Sequence, residues 1–276
     1  MFSKMISILN SVIFICLLCY LAIIILFYFN QTSVLLHPDK TMLPLFKPHY
    51  EECYFESDST KLHGVLSYKF ENRPIVLFSH GNAGNLTHRV SVMNMLEHLE
   101  LNFFIYDYRG FGLSQGQILQ EQELYTDGLS AWKFLVEQKM VMPSNIIIWG
   151  RSLGAAIATK IAAKNPDARA LILDCPFSDI QDVGSYHYPY LPLKLLTKYT
   201  MSNLVSIKEI TIPVVISHSP DDEIIPFSLG EKVFNEANQP KLLIKLEGGH
   251  NDGFDISFNL YTNQLINFFK NNNILN

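Results

Sequence analysis

The chain has 276 residues, 48% hydrophobic and 17% charged, with 14 glycines and 13 prolines. That balance excludes a disordered, collagen-like or disulfide-scaffold protein and leaves room for one large domain. A formal net charge of -5 offers no surplus of cations to neutralise a phosphate backbone, which argues against nucleic acid as a partner.

The mean hydropathy is positive, and the excess sits at the N-terminus. From Val12 to Phe29 there is no charge and no strongly polar group. As a helix this run would be about 27 Å long, close to the thickness of a bilayer core. We read residues 5–29 as a transmembrane anchor. The apolar run is long for a cleaved signal peptide, and no Ala-x-Ala-like site precedes Asn30. Bulky Ile15 and Leu18 stand before Cys16 and Cys19, unlike a lipoprotein signal. Lys4 is the only charge ahead of the run and the next cation is Lys40. This bias puts the N-terminus in the cytoplasm and the bulk of the chain across the membrane.

Residues 30–49, with Pro38, Pro44 and Pro48, read as an irregular connector to a domain over 50–276. Strands are predicted at 51–55, 62–68, 75–79, 102–106, 146–149, 170–173, 214–218 and 242–246. Helices are predicted at 86–99, 121–137, 153–164, 228–237 and 256–269. Several strands are continuous apolar runs, as expected when both faces of a sheet are covered. Their alternation with helices implies an α/β domain with a largely parallel sheet. Residues 177–210 break the alternation with Tyr186, Tyr188, Tyr190 and Tyr199, which fits an insertion over one face. The four cysteines form no framework, and we take them as unpaired.

Gly150-Arg151-Ser152-Leu153-Gly154 lies between a strand and a helix. A nucleophile elbow needs that setting: glycines on both sides of a tight turn that exposes a serine at a helix N-terminus. Serine is a poor nucleophile unless a base takes its proton and an acid holds that base in one tautomer. His250, in the loop after the last strand, is the candidate base. Ser219-Pro220-Asp221-Asp222-Glu223 follows another strand and offers three carboxylates. We favour Asp222, leave the other two to a solvated turn, and keep Asp174, at the end of a further strand, as the other candidate. The oxyanion needs two backbone N–H donors. Leu153, directly after the serine, is one; Asn82, in the small-residue loop His80-Gly81-Asn82-Ala83-Gly84-Asn85, is the other. That loop lacks the G-x-x-x-x-G-K-[ST] pattern of a phosphate cradle. Asp107 and Arg109 read as loop braces. Neither H-E-x-x-H nor paired C-x-x-C with zinc-like spacing occurs, so no metal and no cofactor are expected.

Together HGNAGN at 80–85, DYRGFG at 107–112, GRSLG at 150–154, HSPDDEIIP at 218–226 and GGHND at 248–252 resemble the α/β-hydrolase superfamily. More narrowly, they resemble its membrane-anchored serine hydrolases of the bud-emergence type, near the serine aminopeptidase-like hydrolases. The resemblance implies an eight-stranded, mostly parallel sheet with its second strand antiparallel, a small lid, and a Ser152, Asp222, His250 triad. It also implies hydrolysis of a small-molecule ester or acyl thioester, with the membrane contacted through the N-terminal helix. Peptide or amide hydrolysis and a catalytically silent hydrolase-fold binding protein are the competing functions.

Overall fold

The computed structural model describes residues 2–45 and 47–275. The chain opens with a 34-residue helix, α1 (Phe2–Leu35), followed by strands β1 (Tyr50–Ser57), β2 (Thr60–Ser67) and β3 (Ile75–Ser79). Next come α2 (Val90–His98), β4 (Asn102–Tyr106), α3 (Glu121–Lys133), β5 (Ile146–Arg151), α4 (Leu153–Lys164) and β6 (Ala170–Asp174). The insertion folds as α5 (Ile180–His187), α6 (Leu193–Leu196) and α7 (Asn203–Ile207). The chain ends with β7 (Val214–His218), α8 (Phe227–Glu236), β8 (Lys241–Lys245), α9 (Gly253–Ile256) and α10 (Phe258–Asn271).

The eight strands form one sheet in the order β1-β2-β4-β3-β5-β6-β7-β8. Strand β2 runs against both of its neighbours, and the remaining pairings are parallel. Successive side chains on a strand point to opposite faces, and along the central strands both faces are covered. On β3, Ile75 and Leu77 join a core layer with α3, α4 and α8. Val76 and Phe78 join a second layer with α2 and α10. This explains the unbroken apolar runs, since a strand buried on both sides has no polar alternation to show.

The structure departs from the expected boundaries where local chemistry overrides periodicity. The predicted helix over 121–137 leaves α-geometry after Lys133 and closes with a π turn (Phe134–Gln138). The one over 86–99 starts as a 3₁₀ turn (Leu86–Arg89). The last helix breaks at Ser257, whose hydroxyl accepts the Glu247 N–H at 2.7 Å.

The largest departure concerns the anchor. The helix continues six residues past the assigned end of the apolar run, through 30–35 of the proposed connector. Asn30 bonds back to the Leu26 carbonyl at 2.7 Å. Gln31 is buried because the insertion covers it: its amide donates to the Leu196 carbonyl at 2.8 Å and accepts the Lys198 N–H at 2.7 Å. Further contacts join Tyr20 Oη to the Tyr190 carbonyl at 2.6 Å and Thr32 Oγ1 to Tyr199 Oη at 2.9 Å. Most of the remaining side chains of α1 are exposed and apolar. At 1.5 Å per residue the helix is about 51 Å long, enough to cross a membrane by length and composition.

Candidate active site

The elbow is built by steric exclusion. Ser152 joins β5 to α4 with φ +54° and ψ -118°, a conformation that costs a non-glycine residue strain. A Cβ on Gly150 would overlap the Gly154 carbonyl oxygen, and one on Gly154 would overlap the Ser79 carbonyl oxygen. Both flanking glycines are therefore required by backbone approach. The Ser152 N–H donates to the Asp174 carbonyl at 2.8 Å, tying the turn to the next strand and presenting the side chain at the start of α4.

His250 lies in the loop after β8, with Nδ1 2.7 Å from Asp222 Oδ2. The other oxygen, Asp222 Oδ1, accepts the N–H groups of Ile224 at 2.9 Å and Ile225 at 2.7 Å. His218 Nε2 stands 3.2 Å from Oδ2. Burial of Asp222 opposes its charge, but His218, His250 and the Ile225 amide outweigh it and hold the carboxyl well below the usual range. Glu223 does not belong to a solvated turn: it accepts the His250 N–H at 3.0 Å, so the chain curls back and this carboxylate steadies the histidine's backbone. Asp221 is exposed. Asp174 is occupied elsewhere, by Trp149 Nε1 at 2.6 Å, Tyr261 Oη at 2.8 Å and the Ser217 hydroxyl. Its burial pushes its carboxyl up.

Ser152 and His250 line one cavity of about 460 Å³ together with Gly81 and Asn82. Among the described residues no hydrogen bond joins the serine hydroxyl to the imidazole; contacts of this kind tighten when substrate binds. A Cβ on Gly81 would stand 3.7 Å from that of Ser152, so the loop after β3 packs directly against the elbow. Asn82 is held by its side chain, which donates to the Leu35 carbonyl at 2.8 Å, and by its carbonyl, which accepts the His37 N–H at 2.8 Å. Its own N–H has no partner among the described residues. Leu153 opens α4, where a helix leaves its first N–H groups unpaired.

The neighbouring loop is braced from beneath. Asp107 Oδ1 accepts the Leu86 N–H at 2.7 Å, and Tyr108 Oη donates to the His80 carbonyl at 2.7 Å. Arg109 grips Asp127 through its backbone N–H at 2.8 Å and Nη2 at 2.7 Å. Cys175, His218 and Asp222 bring ligand-type atoms within 4.8 Å of one another. However, Asp222 is committed to the two histidines, and burial pushes the Cys175 thiol up, away from the thiolate a metal would need. All four cysteines are free.

Two residues of the cavity escaped the sequence reading. Arg151 donates to the His250 carbonyl at 2.8 Å, and Arg89 donates to the Ala83 carbonyl. Burial, and then the charge of Arg151, lower the Arg89 guanidinium from its ordinary value. Arg151 stood in plain view as the variable residue before the serine; Arg89 carried no motif and is brought in only by the fold.

Comparison with known proteins agrees with this architecture. The family model described as serine aminopeptidase, S33 matches residues 71–206. The uncharacterized protein YfhR of Salmonella typhi is 32% identical over 77% of this chain and 78% of its own. The uncharacterized Mycobacterium tuberculosis protein Rv2307c is 37% identical over 65% of this chain; the match spans only 63% of that relative's length. The lysophosphatidylserine lipase ABHD12 of Danio rerio is 32% identical over 62% of this chain and 49% of its own. In structure, the Pyrococcus furiosus esterase Pf2001 superimposes with a TM-score of 0.69 at 17% identity, over 86% of this chain and 99% of that one. The strand order, the serine on its strained elbow and these matches lead to one conclusion: the chain belongs to the α/β-hydrolase superfamily.

Proposed function

We propose that the protein is a membrane-anchored serine hydrolase that cleaves carboxylic ester or acyl thioester bonds through an acyl-enzyme on Ser152. The observation that carries this reading is the 2.7 Å His250–Asp222 contact at the cavity that Ser152 also lines. In the acylation step the Ser152 oxygen attacks the carbonyl carbon while His250 takes the hydroxyl proton. The N–H groups of Asn82 and Leu153 receive the developing oxyanion. His250 then protonates the departing alcohol or thiol. Water then attacks the acyl carbon while giving a proton to His250, and His250 returns that proton to the Ser152 oxygen as the acid departs. Asp222 keeps the proton of neutral His250 on Nδ1 and stabilises the imidazolium.

Arg89 and Arg151, set against Asp255 as the one carboxylate among the described residues lining the same cavity, favour an ester bearing an anionic group. The Danio rerio relative is a lysophosphatidylserine lipase, and the phosphate and carboxylate of that lipid point in the same direction. We place the catalytic domain on the extracytoplasmic side, from the charge bias around α1; full resistance of the domain to protease added outside intact spheroplasts would refute that orientation. The central test is saturable labelling by a fluorophosphonate probe. Wild-type protein should label and turn over p-nitrophenyl butanoate, and Ser152→Ala should do neither. An Ser152→Ala protein with full turnover would sink the assignment.

A further inference from the structure

A second cavity, of about 320 Å³, lies between the C-terminal part of α1 and the insertion. Phe27, Val34 and Leu35 line it from the anchor helix, and Val183, Gly184 and Leu193 from the insertion. The gap has a defined width because the two walls are bolted together on its flanks by the Gln31 and Thr32 bonds to the insertion. Gly184 sets one side: a Cβ there would stand 2.8 Å from Leu193 Cδ1. Asn82 and Ile224 line this cavity and also the one containing Ser152. The apolar gap therefore begins at the loop that carries the proposed oxyanion donor.

We propose that this gap is an acyl-chain subsite, in which the hydrocarbon chain of the scissile ester lies between α1 and α5 while its carbonyl rests at Asn82 and Ser152. The inference rests on the serine-hydrolase reading and deepens it, because it makes the anchor helix a wall of the site as well as a tether. Three observations select an acyl chain as the occupant. The lining is mainly apolar, whereas the adjoining cavity holds the guanidinium groups. The two cavities share Asn82 and Ile224, so a chain in one is covalently within reach of a carbonyl in the other. Finally, the wall formed by α1 continues into its exposed apolar length, which lets a hydrocarbon pass from the membrane to the site without crossing water.

The test uses the full chain in detergent micelles and p-nitrophenyl butanoate, octanoate and dodecanoate. Val34→Trp narrows the gap from the anchor side and Val183→Trp from the insertion side; either alone suffices if the other disturbs docking. For wild type, kcat/KM should rise with chain length by up to about fourfold per methylene buried. In each variant the dodecanoate-to-butanoate ratio of kcat/KM should fall at least tenfold, with octanoate in between. A ratio that stays within twofold of wild type in both variants overturns the subsite, as does an equal loss on all three esters. Absence of turnover by wild type on every ester is a different result: it removes the hydrolase reading first, and the subsite with it.

Discussion

Replacing Asp222 with asparagine removes one charge and leaves the shape of the loop nearly intact, and the hydrogen bonds dictate which way the new amide faces. Asp222 Oδ1 accepts the Ile224 and Ile225 N–H groups, and only an oxygen can do so. The amide oxygen of Asp222→Asn must take that position, which turns its NH₂ toward His250 Nδ1, now 2.7 Å from Oδ2. The imidazole then has to accept at Nδ1 and carry its proton on Nε2. That is the wrong tautomer to take a proton from Ser152. An error of this kind costs about 10⁴ in kcat when geometry is preserved, or roughly 5 kcal/mol of transition-state stabilisation. The assay is kcat/KM on p-nitrophenyl butanoate for wild type, Asp222→Asn and Asp221→Asn. The neighbouring Asp221 is exposed, so its substitution should cost less than about threefold, within the range of a surface change. Retention of more than a tenth of wild-type activity by Asp222→Asn would refute the tautomer argument. A larger loss in Asp221→Asn would reassign the acid.

Two further outcomes concern the scaffold. Glu97 gathers Lys47 Nζ at 2.9 Å, His49 Nε2 at 3.0 Å and Tyr50 Oη at 2.7 Å; burial opposes its charge, but Tyr50, His49 and Lys47 hold its carboxyl down to about 2. Because the folded value lies below the unfolded one, this stabilisation is complete above about pH 5 and is lost as pH falls toward 2. Glu97→Gln should therefore lower stability at pH 7 by about 1–3 kcal/mol and flatten Tm against pH in that acid window, and an acid limb as steep as that of wild type would count against the cluster. Gly154→Ala should lose more than about 3 kcal/mol or fail to fold, since its Cβ meets the backbone oxygens of Ser79 and His80. Gly184→Ala meets only the flexible end of Leu193 and should cost about 1 kcal/mol or less; equal melting temperatures for the two variants would undo the steric account of the elbow.

Much of the sheet was legible because its signal is local. The central strands, such as Ile75–Ser79, Asn102–Tyr106 and Val214–His218, are fully buried runs closed by turn residues, and a strand covered on both faces needs no partner to announce it. The elbow was legible for the same reason: Gly150, Ser152 and Gly154 are fixed by contacts within a strand-turn-helix and the loop beside it. The carboxylate that meets His250 was less so. Asp174 and Asp222 both end or follow strands, and only the fold shows that Asp174 is taken up by Trp149, Ser217 and Tyr261 while Asp222 bonds the histidine. Glu223 looked like a solvated carboxylate because nothing in the local sequence shows that the His250 backbone returns to it 27 positions later.

The boundary at residue 30 shows where such reading stops. Asn30, Gln31 and Thr32 look like the polar end of a membrane helix, because hydropathy ranks a side chain by its preference for water. Gln31 nevertheless is 5% exposed. Its amide is satisfied by two backbone groups of the insertion, one of them 165 positions away, and a buried amide so paired carries little penalty. Thr32 and the Leu35 carbonyl are likewise engaged, by Tyr199 and by the Asn82 side chain. The helix therefore cannot end where its apolar composition ends, since its last two turns answer to the insertion and to the loop beside Ser152. In physical terms helix α1 and the hydrolase-fold domain are one packed unit: removing residues 30–35 would take from the Leu196 carbonyl and the Lys198 N–H their Gln31 partner and strip a side-chain hold from Asn82.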